Sequence, residues 1–159
     1  MTLKQFTLIA LTALCSISLT SCSNDDDSPA PFSIAGSYEG IYHDNNVGDI
    51  SDASIITDNG DGTYNIIAPA FTIGKAEYGA MTLKNIELIE SEDGYIFQNE
   101  SHGVKVTFAG NEAQRKTPTI MEFAAHLNGT LSKSGQLDFT LDLNHANTIY
   151  FYFVFSGKK

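Results

Sequence analysis

From Met121 to Leu131 the chain alternates without interruption. Met121, Phe123, Ala125, Leu127, Gly129 and Leu131 fall on one side of an extended backbone, and Glu122, Ala124, His126, Asn128 and Thr130 on the other. A period of two puts successive side chains on opposite faces, so this stretch reads as a strand with one face in a core and the other half wet. Phe139, Leu141 and Leu143 alternate in the same way with Thr140, Asp142 and Asn144, and Val104, Val106 and Phe108 with Lys105 and Thr107. An amphipathic helix needs a period near 3.6, and no stretch of useful length carries one.

Turn residues separate these runs. Asp58-Asn59-Gly60-Asp61-Gly62 tolerates positive φ and joins two strand-like runs, Ile50 to Thr57 and Thr63 to Phe71. Lys133-Ser134-Gly135 links the strand ending near Ser132 to one starting at Gln136, and Glu92-Asp93-Gly94 and Ser101-His102-Gly103 mark further breaks. Eight or nine strands follow, an all-β pattern. Short antiparallel strands hide their edges by closing into a barrel or packing as a sandwich. The last strand, Thr148 to Ser156, has Phe151, Phe153 and Phe155 on one face and Tyr150, Tyr152 and Val154 on the other. Both faces are apolar or aromatic, so this strand is expected to be covered on both sides, by a loop, the N-terminal segment or a partner.

The chain opens with Lys4, an apolar run from Phe6 to Leu19, and Thr20-Ser21-Cys22. One cation, a short apolar stretch and a small residue before the cut describe a secretory signal over residues 1–21, too short for a comfortable membrane span. Leu19-Thr20-Ser21-Cys22 resembles the lipobox of bacterial lipoproteins, which implies diacylglyceryl attachment at Cys22 and cleavage before it. The alternative is an ordinary secreted protein with a chance cysteine there. Two or three acyl chains hold a protein on a membrane far more firmly than the single chain that gives only reversible binding. Residues 22–33 then form a linker, since Ser, Asp and Pro offer nothing to bury. Its Asp25, Asp26 and Asp27 resemble the acidic surface-export signal of certain Gram-negative lipoproteins, with a plain solvated spacer as the other reading.

Removing the leader leaves 138 residues, one domain with one core, over 34–159. Losing Lys4 with it takes the net charge from −10 to about −11. Nucleic acid is an unsuitable partner for such a chain, because phosphate binding needs clustered Lys and Arg. Cys15 leaves with the leader, so Cys22 is the one thiol remaining and no internal disulfide can form.

Ile34-Ala35-Gly36-Ser37-Tyr38-Glu39-Gly40 resembles the opening strand of the calycin-like (lipocalin-like) barrel lipoproteins of Gram-negative bacteria. Phe71-Thr72-Ile73-Gly74 with Leu83-Lys84-Asn85-Ile86 resembles their middle, and Phe153-Val154-Phe155-Ser156-Gly157 their last strand. The resemblance implies an antiparallel up-and-down β-barrel of about eight strands and small-molecule binding at the outer membrane. True lipocalins carry Gly-x-Trp in the first strand and an Arg that packs on that Trp from the last. Here Gly36-Ser37-Tyr38 stands in that place and the last strand has no Arg.

No catalytic pattern emerges. His43, His102, His126 and His145 lack zinc-site spacing, and Asp58 to Gly62 fits no register of a calcium loop. There is no nucleophile elbow and no phosphate-cradling glycine loop. A pair of converging carboxylates stays open, since sequence cannot place the acids relative to one another. The expectation is therefore a non-enzymatic protein without metal or cofactor, anchored to a membrane by lipid and exposed at the cell surface. Tyr38, Phe108, Phe123, Phe139, Phe151 and Phe153 point inward. They either line a pocket for a small apolar or amphipathic ligand or simply fill the barrel. The rival function is an interaction module that docks a surface protein, for which Tyr150 and Tyr152 are the candidates.

Overall fold

The computed structural model describes residues 32–110 and 117–159. The leader, Cys22 and Asp25–Asp27 lie outside the described residues. Among the described residues eleven strands follow one another: β1 Gly36–Asp44, β2 Gly48–Asp58, β3 Thr63–Ala68, β4 Phe71–Ile73, β5 Ala76–Tyr78, β6 Met81–Glu87, β7 Ile89–Ser91, β8 Gly94–Gly110, β9 Thr119–Ser132, β10 Gln136–His145 and β11 Ile149–Lys158. All their pairings are antiparallel.

Eight long strands carry the architecture, in spatial order β8-β9-β10-β11-β1-β2-β3-β6. This is an up-and-down meander whose last strand pairs with its first: Glu39 lies opposite Lys158 and His43 opposite Val154. The short β7 continues the line of β6 and pairs with the start of β8, Ile89 opposite Ile96. Farther along, β6 packs alongside β8, yet no ladder joins the two. That seam is where the curled sheet stays open.

Alternation is realised as the pattern demands. Phe123, Ala125, Leu127 and Leu131 of β9, Leu137, Phe139, Leu141 and Leu143 of β10, and Phe151, Phe153 and Phe155 of β11 are buried, with their neighbours in sequence turned outward. The Asp58–Gly62 segment is a hairpin turn, with Gly60 and Gly62 at φ of 79° and 88°. The Asp58 and Asp61 carboxylates accept from the Gly60 and Thr63 N–H groups, which uses these acids as turn caps.

Four expectations need correction. Ser101-His102-Gly103 does not end a strand: β8 runs through it, and the register against β9 shifts between Ser101 and Val104 as a bulge. Gly103, at φ 77° with open space where a Cβ would stand, supplies the unusual backbone that a bulge requires. The run from Thr63 to Phe71 is broken at Pro69, whose missing N–H cannot serve a ladder, so Phe71 starts a separate hairpin, β4–β5. Phe32 and Ser33, read as linker, are tied down: the Lys159 ammonium donates to the carbonyls of Ser33 and Ala35 at 2.6 Å each and lies 5.7 Å from the Phe32 ring centroid. Finally, among the described residues neither a loop nor the N-terminal stretch covers the outer side of β11. Tyr150, Tyr152 and Val154 are 55 %, 40 % and 39 % exposed. A tyrosine can keep its ring against a sheet and its hydroxyl in water, so its presence on a face does not require a cover.

Candidate functional site

The six inward residues named from sequence converge on one interior. Tyr38, Phe123, Phe139, Phe151 and Phe153 are buried, and Phe108 packs against the same cluster. They meet one another and other core rings: Phe123 is tilted against Phe151 at 6.0 Å between centroids, Phe151 against Phe153 at 6.1 Å and Phe108 against Tyr78 at 5.2 Å. The β4–β5 hairpin closes this space. Phe71 and Tyr78 stack at 4.8 Å, and Phe71 meets Phe151 and Phe153 at 5.1 and 5.0 Å. The void bounded by Tyr42, Ile50, Ala68, Pro69, Phe71, Met81 and Phe153 measures about 10 Å³, room for one water and not for a ligand. At this point the aromatic residues serve as packing.

Two tyrosines are sealed into that core with their hydroxyls. Tyr38 donates to the Ile34 carbonyl at 2.5 Å, and burial pushes its phenol up to about 12. Burial also raises Tyr42, against the smaller lowering effect of the Ser54 side chain beside it. A phenol with a folded-state pKa above its unfolded value of about 10 contributes stability that is intact below pH 10 and lost as pH climbs through 10 to 12. We expect alkaline titration followed at 295 nm to show these two phenols ionising only together with loss of the far-ultraviolet β signal. Ionisation of every tyrosine before any structural change would contradict their burial.

The outer face is different in character. Strand register lines up Gln98, Asn128, Thr140, Val154, His43 and Asp49 across β8, β9, β10, β11, β1 and β2 as one row. Tyr152 lies opposite Asp142 and Tyr150 opposite Asn144. A shallow groove of about 600 Å³ crosses this face from Ile89 and Ile96 to Val154, over a floor of Gln98, Asn128, Thr130 and Thr140. A second depression of about 690 Å³ flanks Tyr150, edged by Glu122, His126, Asp142 and Asn144.

Ile41 stands two residues from His43 on the same face, 49 % exposed. The patch therefore has an apolar centre of Ile41, Tyr152, Val154 and Tyr150. Its margin is acidic: Glu39, Asp49, Asp138 and Asp142 lie on the outward side of β1, β2 and β10, and Lys158 is the one lysine or arginine of β1, β2, β10 and β11. The Tyr150 hydroxyl donates to the Asp142 carboxylate, which with partial burial raises that phenol to about 12. The His43 ring is 2.6 Å from Asp49, which raises the imidazole.

Tyr150 and Tyr152 were legible in the sequence as candidates. Ile41, His43 and Asp49 were not, since only the pairing of β1 with β11 brings them beside the tyrosines. Asp44 was missed as well. It is 1 % exposed, and its carboxylate accepts from the N–H groups of Asn46 at 2.6 Å, Val47 at 3.0 Å and Tyr152 at 2.8 Å. Where β1 bends into its hairpin, this side chain takes up a β11 donor just past the last paired residues of the two strands. The acid before Asn45-Asn46-Val47-Gly48 was its only sequence signal. Among the described residues, no group of three or more His, Cys, Asp or Glu gathers in a way that holds a metal.

An eight-strand antiparallel meander, its last strand hydrogen-bonded to its first around a core of rings, defines a barrel of the calycin class. The family model for the calycin-like beta-barrel domain matches residues 34–158, and the chain belongs to that family. No curated protein and no solved structure matches it.

Proposed function

We propose that this protein is a non-enzymatic, lipid-anchored lipoprotein of the bacterial outer membrane, exposed at the cell surface, that docks a partner protein through the outward face of β11 and β1. One contrast carries this reading. The interior beside Phe71 and Phe153 leaves a void of only about 10 Å³, whereas Ile41, Tyr150, Tyr152 and Val154 stand in water together. Exposed apolar clusters with a polar rim mark interaction sites, and tyrosine is favoured there. The acidic margin selects the occupant: a protein surface with cationic residues around an apolar centre. The lipobox-like Leu19-Thr20-Ser21-Cys22 and the acids behind it support the anchor and the outer address.

A second reading, capture of a small apolar ligand, is favoured by the hairpin β4–β5. The rings that fill one end of the interior, Phe71 and Tyr78, ride on two three-residue strands, and short ladders of this kind open locally at low cost.

The readings separate in cells of the natural host. A photo-crosslinking residue at position 152 is expected to trap one partner protein, and the same probe at position 133, in the β9–β10 turn, is expected to trap none. Tyr152→Ala should weaken the complex about thirtyfold, the cost of a central interface tyrosine. Absence of an adduct at 152, with an apolar molecule retained on the protein in native mass spectrometry, would replace docking by ligand capture. Cys22→Ser is expected to release the protein from the membrane fraction.

A further inference from the structure

The open seam between β6 and β8 forms a cleft of about 550 Å³ whose chemistry runs against the rest of the molecule. The chain carries a net charge of −10. Yet the side chains that line this cleft include two ammonium groups and an imidazole, Lys84, Lys105 and His102, beside the hydroxyls of Thr82 and Ser101, and no carboxylate. Lys84, His102 and Lys105 are exposed, and Thr82 and Ser101 are half-buried along the walls. Lys105 approaches Glu122 only at 3.9 Å with both side chains open to solvent, a contact too weak to neutralise it.

The fold explains why these groups meet here. Each of the two strands is laddered on its far side, β6 to β3 and β8 to β9. Between its short ladders to β7 and β5, β8 is paired on one side only, and there alternate backbone N–H groups face the open edge. The bulge at Ser101–Val104 turns His102 and Gly103 outward on one wall. On the other, Asn85 at φ 57° departs from regular strand geometry just after Lys84. A cleft lined by cations, hydroxyls and open-edge amides suits an oxyanion.

We propose that this seam binds the phosphate or sulfate group of a small anionic ligand, with Lys84 and Lys105 as the charged contacts and His102, Thr82 and Ser101 as further donors. The site is separate from the aromatic face on β11 and β1, and its chemistry is the opposite of that face.

The test titrates the ¹⁵N-labelled protein at low salt with inorganic phosphate, with a sugar phosphate and with phosphatidylglycerol vesicles. Amides of 82–85 and 101–105 are expected to shift saturably. Lys84→Ala and Lys105→Ala should each weaken binding about tenfold, the loss of one charge-assisted contact, and Lys133→Ala should leave it unchanged. Response to the two solutes alone identifies a soluble ligand, and response to the vesicles alone identifies a lipid headgroup. No saturable shift with any probe overturns the proposal. So does equal weakening by Lys133→Ala, which reduces the effect to net charge. Unchanged spectra of the variants outside the cleft establish that they are folded.

Discussion

Phe155→Ala is expected to cost about 3–5 kcal/mol of folding stability, the range for removing a buried phenylalanine. Phe155 is fully buried, stacked on Phe139 at 4.9 Å and tilted against Tyr42 at 4.5 Å. Its ring lies over two glycines. A Cβ at Gly40 would meet Phe155 Cζ at 2.8 Å, and one at Gly157 would meet it closer still. An aromatic ring covering strand glycines fills space that no other side chain can enter. The surrounding rings sit on laddered strands and cannot collapse into the hole, so the cavity term adds to the lost transfer energy. Domains of this size are stable by about 5–15 kcal/mol, so the variant keeps only a fraction of that margin. Urea unfolding monitored by circular dichroism reads the change. A loss below about 1 kcal/mol would mean that the core relaxes around the gap.

Asp44→Ala is expected to cost about 3 kcal/mol, because three backbone donors lose a charged acceptor in a site that water does not reach freely. The carboxylate holds the β1–β2 turn through Asn46 and Val47 and, through Tyr152, fastens the turn to β11. Asp44→Asn tests the geometry. The amide retains one oxygen for two of the donors and turns a third donor toward the Tyr152 N–H, so it should recover little of the loss. Native-state hydrogen exchange adds a local readout: the amides of 46, 47 and 152 should lose protection in both variants. Full protection at 152 in Asp44→Ala would show that another acceptor takes over.

The strand faces were legible because alternation is a local signal. In β9 and β10 every inward residue read from the sequence is inward in the fold, since period and burial are the same constraint seen twice. Features set by distant segments were not legible. A bulge and a turn use the same residue types, and Ser101-His102-Gly103 becomes a bulge only because β9 continues unbroken beside it. Phe71 was read as the end of a longer strand, but the length of β4 is fixed by its three-residue partner β5. The double aromatic face of β11 has the same composition whether it is covered or wet. Lys84 and Lys105 share a cleft because a ladder is missing between their strands, and a missing ladder leaves no mark on composition.

The pairing of β1 with β11 has a consequence in time. Asp44 and Tyr152, which it joins, are 108 residues apart in sequence. During synthesis or passage through a membrane in the N-to-C direction, β1 waits with one flank unsatisfied until nearly everything after it has emerged. Local hairpins can form early, but the two halves of the curled sheet are joined by its most distant contact, the kind that slows folding most. A break within β11 would therefore do more than shorten the protein, since it would unfasten the first strand made as well as the last.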